Sequence, residues 1–371
     1  MIMTGRILRW LLCGICITLS LSTARADKLD DNLQTVWESL WSQGGAPQYL
    51  KRWNKKVTYR IYGADASRHR DHIEAALKAA TQAAGIGLED VSAQSDAETT
   101  AMMSLEVIEP SEGLDSMPCY TQALKLSGWA LEKVQVKMRS RDVWRCAFHE
   151  VMHAMGVPGH PSGKTVLSYF PYRRDVLMDL DRLILTAWYS PAMRLGATPL
   201  EALAVLSGAV ARQTDLDVAP DVALSRAATF NQQALAQMQL LASGGGEIPS
   251  IVLRSGRAND AAMGAARGIA GYVVGMAYLR GVIAARDAAA ASPWFRRSAH
   301  YGYSPGQIMW ARALKDGVGV PVDAESAHSW LTMAHAGGNT TAKRDIDALE
   351  KTWSPGQIEK ARTRPPPELE R

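Results

Sequence analysis

Cysteine is scarce in this chain of 371 residues: it has four, and two of them lie within the first 26 positions. Only Cys119 and Cys146 remain beyond that point, enough for one disulfide. Long uncharged apolar runs are also lacking. Trp10 to Leu21 is apolar but too short and wrongly flanked for a membrane span, and residues 268 to 285 are interrupted by Arg280. A strong charge of one sign is the third absence. The chain is formally +4, and the first 26 residues contribute Arg6, Arg9 and Arg25 with no acid, which leaves the remainder at +1. That balance gives no electrostatic footprint for a nucleic acid.

The first 26 residues read as a removable export signal. Arg6 and Arg9 make a basic start, the short apolar stretch follows, and Ala24-Arg25-Ala26 is an A-x-A cleavage site. Cys13 and Cys16 follow Leu12 and Ile15, not the small residue of a lipoprotein signal. The protein is therefore expected to be periplasmic or secreted and to begin at Asp27; a retained signal anchor is the alternative. In an exported chain the remaining pair, Cys119 and Cys146, invites a disulfide, with two buried thiols as the other reading.

The remaining length suffices for two domains. Residues 30 to 43 carry Leu33, Val36, Trp37, Leu40 and Trp41 on one helical stripe. Residues 56 to 62 alternate like a half-buried strand, and a helix is expected from Asp71 to Ala84. Further strands are expected over 101 to 108 and from Trp129 to Met138, and then a helix from Arg141 to Met155. Residues 200 to 241 repeat apolar positions at helical spacing, and Gly244-Gly245-Gly246 marks a linker.

Residues 149 to 160 read His-Glu-Val-Met-His-Ala-Met-Gly-Val-Pro-Gly-His. On a helix, His149 and His153 are four apart and project from one face. Glu150 sits one step round, able to touch a metal-bound water without ligating. Gly156 can adopt positive φ and stop the helix, so that the chain turns back and presents His160. Three histidines with one open position are the arrangement of a catalytic zinc, not of a closed structural one. With ligands already supplied, cysteine is not needed in the metal shell. The competing readings are an amphipathic helix that happens to carry histidines and a metal site that has lost catalysis.

The pattern H-E-x-x-H-x-x-G-x-x-H resembles the zinc signature of the metzincin metallopeptidases. The resemblance implies an α+β zincin-like domain, a twisted sheet packed on helices, with zinc held by His149, His153 and His160 and with Glu150 as general base. Metzincins close the zinc pocket with a methionine-bearing turn. The matching segment here is Thr165-Val166-Leu167-Ser168-Tyr169, with Leu167 in place of the methionine. Tyr169 falls where some metzincins place a tyrosine that ligates zinc or stabilises the oxyanion; a packed turn tyrosine is the alternative. The segment from Cys146 to Gly196 also resembles a family of exported bacterial proteins of unknown function regarded as zincins, many of which lack intact ligands.

Beyond the linker the chain repeats. Gly281 and Gly317, Asp287 and Asp323, Ala288 and Ala324, Ala291 and Ala327, Trp294 and Trp330, and Gly302 and Gly338 are each 36 apart. The unit from Ala311 to Trp330 resembles the Sel-one-like repeat, a relative of the tetratricopeptide repeat. It implies an all-α helical-repeat solenoid, with residues 342 to 362 as a capping helix pair; such a stack usually binds protein partners on a concave face, and covering one side of the catalytic domain is the alternative.

The expected organisation is thus a signal peptide over 1–26 and a zincin-like metallopeptidase domain over 27–199. A helical connector and Gly-rich linker would cover 200–246, and the repeats with their cap 247–371. The expected function is zinc-dependent hydrolysis of peptide or protein substrates. A non-catalytic envelope adaptor is the alternative, and a zinc amidase acting on cell-wall peptide is a third reading.

Overall fold

The computed structural model describes residues 27–42, 45–109, 117–168, 175–246, 248 and 260–369. The expected export signal and Tyr169 lie outside the described residues. The first helix, α1 (Lys28–Glu38), is capped by the Asp27 carboxylate, which accepts from the Asp30 amide, and it buries Leu29, Leu33, Val36 and Trp37. It stops at Glu38, short of the expected residue 43. The Leu40 and Trp41 amides bond three residues back, to the Trp37 and Glu38 carbonyls, so the chain tightens out of the helix while both side chains stay buried.

A five-stranded mixed sheet follows. Its strands are β1 (Val57–Gly63), β2 (Leu88–Asp90), β3 (Met103–Ile108), β4 (Cys119–Ser127) and β5 (Ala130–Arg139), in the order β2-β1-β3-β5-β4. All neighbours are parallel except β4, which runs antiparallel to β5 at the edge. Strand alternation sends Tyr59, Ile61, Leu105, Val107, Val134, Val136 and Met138 into the core. The opposite face carries polar pairs such as Glu106 with Lys137 and Arg60 with Ser104.

The helices on the buried face include α2 (Ala66–Ala84) and α4 (Val143–Ala154). Between them in sequence lies the single turn α3 (Ala97–Thr100). The structure starts α2 five residues before the expected Asp71; its first turns are polar and carry no apolar stripe, so the spacing does not reveal them. A 3₁₀ turn over Ser140–Asp142 leads into α4. Cys119 and Cys146 are disulfide-bonded with Cα atoms 6.2 Å apart, tying the start of β4 to the first half of α4.

Helices α5 (Asp179–Trp188), α6 (Pro199–Ala211) and α7 (Pro220–Ala242) complete this half. The expected helical run over 200–241 is two helices, broken ahead of Pro220, which lacks an amide hydrogen and therefore opens a helix more readily than it continues one. The main core is continuous from Leu29 through these helices to Val273, Val274 and Ala277 on α8 (Asp260–Arg280). Aromatic contacts reinforce that junction: Tyr49 stacks on Trp129 at 4.9 Å, and the Tyr303 hydroxyl donates to that of Tyr49 at 3.2 Å.

The last helices are α9 (Ala288–His300), α10 (Ser304–Asp316), α11 (Ala324–Ala336), α12 (Thr340–Glu350) and α13 (Pro355–Thr363). Residues 36 apart play the same parts. Asp287 caps α9 through the Ala290 amide and Asp323 caps α11 through the Ser326 amide, both at 2.9 Å. Gly281 and Gly317 turn the chain at φ +72° and +69°. Ala291 and Ala327 are both fully buried where helices meet. The part of the chain from Asp260 onward is thus a helical-hairpin repeat, and no helix among the described residues is long and apolar enough to cross a membrane.

The cross-link closes a loop of 27 residues in sequence. Replacing Cys119 and Cys146 together by serine is expected to destabilise the protein by about 3 kcal/mol in the chain-entropy account, measured by denaturant unfolding.

Candidate metal centre

Helix α4 exists because Val143, Ala147, Val151, Met152 and Ala154 form an apolar face seated on the core. That seating turns His149 and His153 to the other side of the helix, where both rings stay half-buried. The helix ends at Gly156, which has φ +102°; a Cβ there would lie 2.1 Å from the Lys51 carbonyl oxygen. Neither the backbone conformation nor the space admits another residue. The orphan carbonyls of the last turn find outside donors: Trp53 Nε1 donates to the Ala154 carbonyl at 2.9 Å and the Tyr189 hydroxyl to that of Met155 at 2.8 Å.

The reversed chain brings His160 back against the helix. Its Nε2 lies 3.1 Å from that of His149 and 3.0 Å from that of His153. The outer nitrogens explain this convergence. His149 Nδ1 donates to the Val166 carbonyl at 2.8 Å and His153 Nδ1 to the Val157 carbonyl at 2.7 Å. A carbonyl only accepts, so both Nδ1 atoms carry hydrogen and both Nε2 atoms present lone pairs. One proton on His160 satisfies at most one of its two close contacts, so the cluster favours a cation at its centre. Among the described residues these three are the group of histidine, cysteine or carboxylate side chains whose donor atoms lie within 4.8 Å of one another.

Burial holds all three imidazoles below the usual histidine range, that of His153 at about 3, so they are neutral and competent to ligate at neutral pH. Glu150, next along the helix, is only 3% exposed. Burial pushes its carboxyl up to about 7, against the opposing pull of a hydrogen bond from Thr121. The Thr121 hydroxyl lies 2.7 Å from Glu150 Oε2 and 3.0 Å from the Glu150 carbonyl, so β4 fixes the carboxylate directly.

The turn after His160 is held from α5. Asp181 is fully buried, and its carboxylate accepts from the Val166 amide at 3.2 Å and the Met178 amide at 2.9 Å. Since the Val166 carbonyl accepts from His149, an acid on α5 reaches an imidazole on α4 through the backbone of one residue, Val166. Leu167, where the metzincin pattern has methionine, is completely buried and donates its amide to Thr165 Oγ1 at 3.0 Å.

The structure therefore brings together His149, Glu150, His153 and His160, with Gly156 and Leu167 shaping the turns and Cys119–Cys146 bracing helix to strand. Sequence reasoning missed Thr121 and Asp181. Thr121 lies on an edge strand with little burial, which leaves no alternation to read. Asp181 looks like an ordinary acid in a helix's first turn until its burial is seen.

Comparison with known proteins adds little at this site. No family model and no curated protein matches the chain. Among solved structures, a protective antigen of uropathogenic Escherichia coli displaying an SLR fold matches over 51% of this chain at 15% identity and a TM-score of 0.25. A Sel1 repeat protein from Oxalobacter formigenes matches over 46% at 20% identity and a TM-score of 0.23. The matches span 48% and 55% of those two chains.

Replacing Asp181 by leucine leaves the buried Val166 amide and the half-buried Met178 amide without this acceptor. It is expected to cost on the order of 2–4 kcal/mol of stability, read from denaturant melts of the variant.

Proposed function

We propose that this protein is an exported zinc-dependent metallopeptidase, with His149, His153 and His160 holding the metal and Glu150 as general base. The observation that carries the reading is the convergence of three imidazole Nε2 atoms beside a buried carboxyl. The residues suit the ion. Zinc–nitrogen bonds of about 2.0–2.1 Å put tetrahedral donors about 3.4 Å apart, a few tenths of an ångström from the spacing described above. The donors are neutral nitrogens, the ligating form, and three ligands leave a position open for chemistry.

A bound zinc would supply Lewis acidity, acidifying water to a pKa of about 7 and polarising a carbonyl. The chain's own residues do the rest. Glu150, poised near neutrality, takes the proton from the attacking water and returns it to the departing amine nitrogen as the carbon–nitrogen bond breaks. Thr121 holds the carboxylate in place for both transfers. The reading also takes in a periplasmic or secreted location. Tyr169 remains assigned only by its resemblance to the metzincin turn.

A second reading is a non-catalytic envelope adaptor that binds protein partners through the helical repeats. Leu167 in place of the turn methionine favours it. In that case the triad is structural and the partner meets the hairpins formed by α9 to α12.

Casein or a peptide library, incubated with the purified chain, separates the two. Cleavage is expected, is abolished by a chelator and returns with zinc. Glu150→Gln is expected to lower the rate at least about 100-fold while leaving metal content unchanged. Full cleavage by that variant would exclude Glu150 as the base.

A further inference from the structure

His160 is the one member of the triad that no helix carries. It lies between Gly156 and the turn at Thr165, so something outside the α4 helix must fix its path. The last turn of α1 does so on both sides of His160. Before it, the Gly159 amide donates to the Ser39 carbonyl at 3.0 Å, and a Cβ at Gly159 would lie 2.4 Å from the Glu38 carbonyl oxygen. After it, a Cβ at Gly163 would lie 1.8 Å from Thr35 Oγ1. The segment thus lies flat on the helix end, backbone against backbone at Gly159 and backbone against the Thr35 side chain at Gly163.

Glu38 locks this contact. Its Oε2 accepts from both the Ser162 amide, at 2.6 Å, and the Ser162 hydroxyl, at 2.7 Å, while Oε1 accepts from Gln34 Nε2 at 2.8 Å. The residue is only 6% exposed, and among the described residues no lysine or arginine pairs with it. It also sits at the C-terminal end of a helix, where the macrodipole opposes an anion. A buried carboxylate with neutral donors only, at the unfavourable helix end, is a costly placement for mere packing. Two of its three donors, both on Ser162, lie two residues from His160.

We infer that Glu38 is a positioning residue for the metal centre, holding the 159–163 turn so that His160 Nε2 meets the two histidines of α4. The inference deepens the reading of the triad as a zinc site and rests on it. Loss of the clamp leaves the two helical ligands in place and lets the third wander, which weakens metal affinity. A role confined to packing changes the stability of the metal-free protein and leaves affinity alone.

The test is zinc affinity of the full chain, measured by competition with a chromophoric chelator, together with the visible spectrum of the cobalt-substituted protein. Glu38→Leu keeps the volume and the helix propensity and removes the acceptors; it is expected to weaken zinc binding about 10–100-fold and to alter the cobalt spectrum. Glu38→Gln keeps an acceptor at the same place and is expected to restore affinity to within a few-fold of the unsubstituted chain. Ser162→Ala, at an exposed position, removes one of the two bonds and is expected to weaken binding several-fold. A folded Glu38→Leu variant with unchanged affinity and spectrum overturns the inference. If that variant does not fold, unchanged affinity in Ser162→Ala overturns it instead. Failure of the unsubstituted chain to bind zinc at all refutes the metal-centre reading itself, and this inference with it.

Discussion

The reversal at Gly156 is the constraint on which the rest of the site depends. Two histidines on one helix face arise from spacing alone, but a third reaches them only if the chain stops its helix and doubles back at once. The close approach of Gly156 to the Lys51 carbonyl fixes where that happens. The same carbonyl accepts from Trp188 Nε1 at 3.0 Å, so the contact point is itself anchored by α5. Trp53 and Tyr189 cap the helix end from the same two regions. The segment around residue 51 and the end of α5, far apart in sequence, therefore meet at this reversal.

The other end of α4 is held differently. The disulfide fastens it to the edge strand β4, and two residues along that strand from Cys119 comes Thr121, whose hydroxyl meets Glu150. One bridge thus serves both the helix and the orientation of the carboxyl. The site is built from α1, β4, α4 and α5 around a core shared with α6, α7 and the start of the repeats. The three histidines, Glu150 and the groups that hold them come from segments that only tertiary packing unites.

That distribution explains what the sequence could and could not convey. His149, Glu150, His153, Gly156 and His160 are legible because their placement follows from local spacing: helix periodicity, then a glycine, then a short return. Strands β1, β3 and β5 are legible because each buries one face and alternates. The repeat is legible because equivalent caps and turns recur at a fixed interval. Strand β4 is not, since an exposed edge imposes no pattern, and Thr121 is lost with it. Glu38, Thr121 and Asp181 act through hydrogen bonds to partners 124, 29 and 15 residues away, and such pairings leave no mark on local composition. The division of residues 200–241 falls at 212–219, between the end of α6 at Ala211 and the start of α7 at Pro220, and the apolar spacing alone does not mark it.

Zinc content is the most direct measure of the central claim that three histidines form a metal centre. The protein is purified without added metal, its elemental composition is determined, and the measurement is repeated after chelation and dialysis against zinc. The account predicts close to one zinc per chain in the purified and the reloaded protein, and none when His149 and His160 are both replaced by alanine. A chain that carries no zinc in either state, or one that keeps its zinc without those histidines, would contradict it.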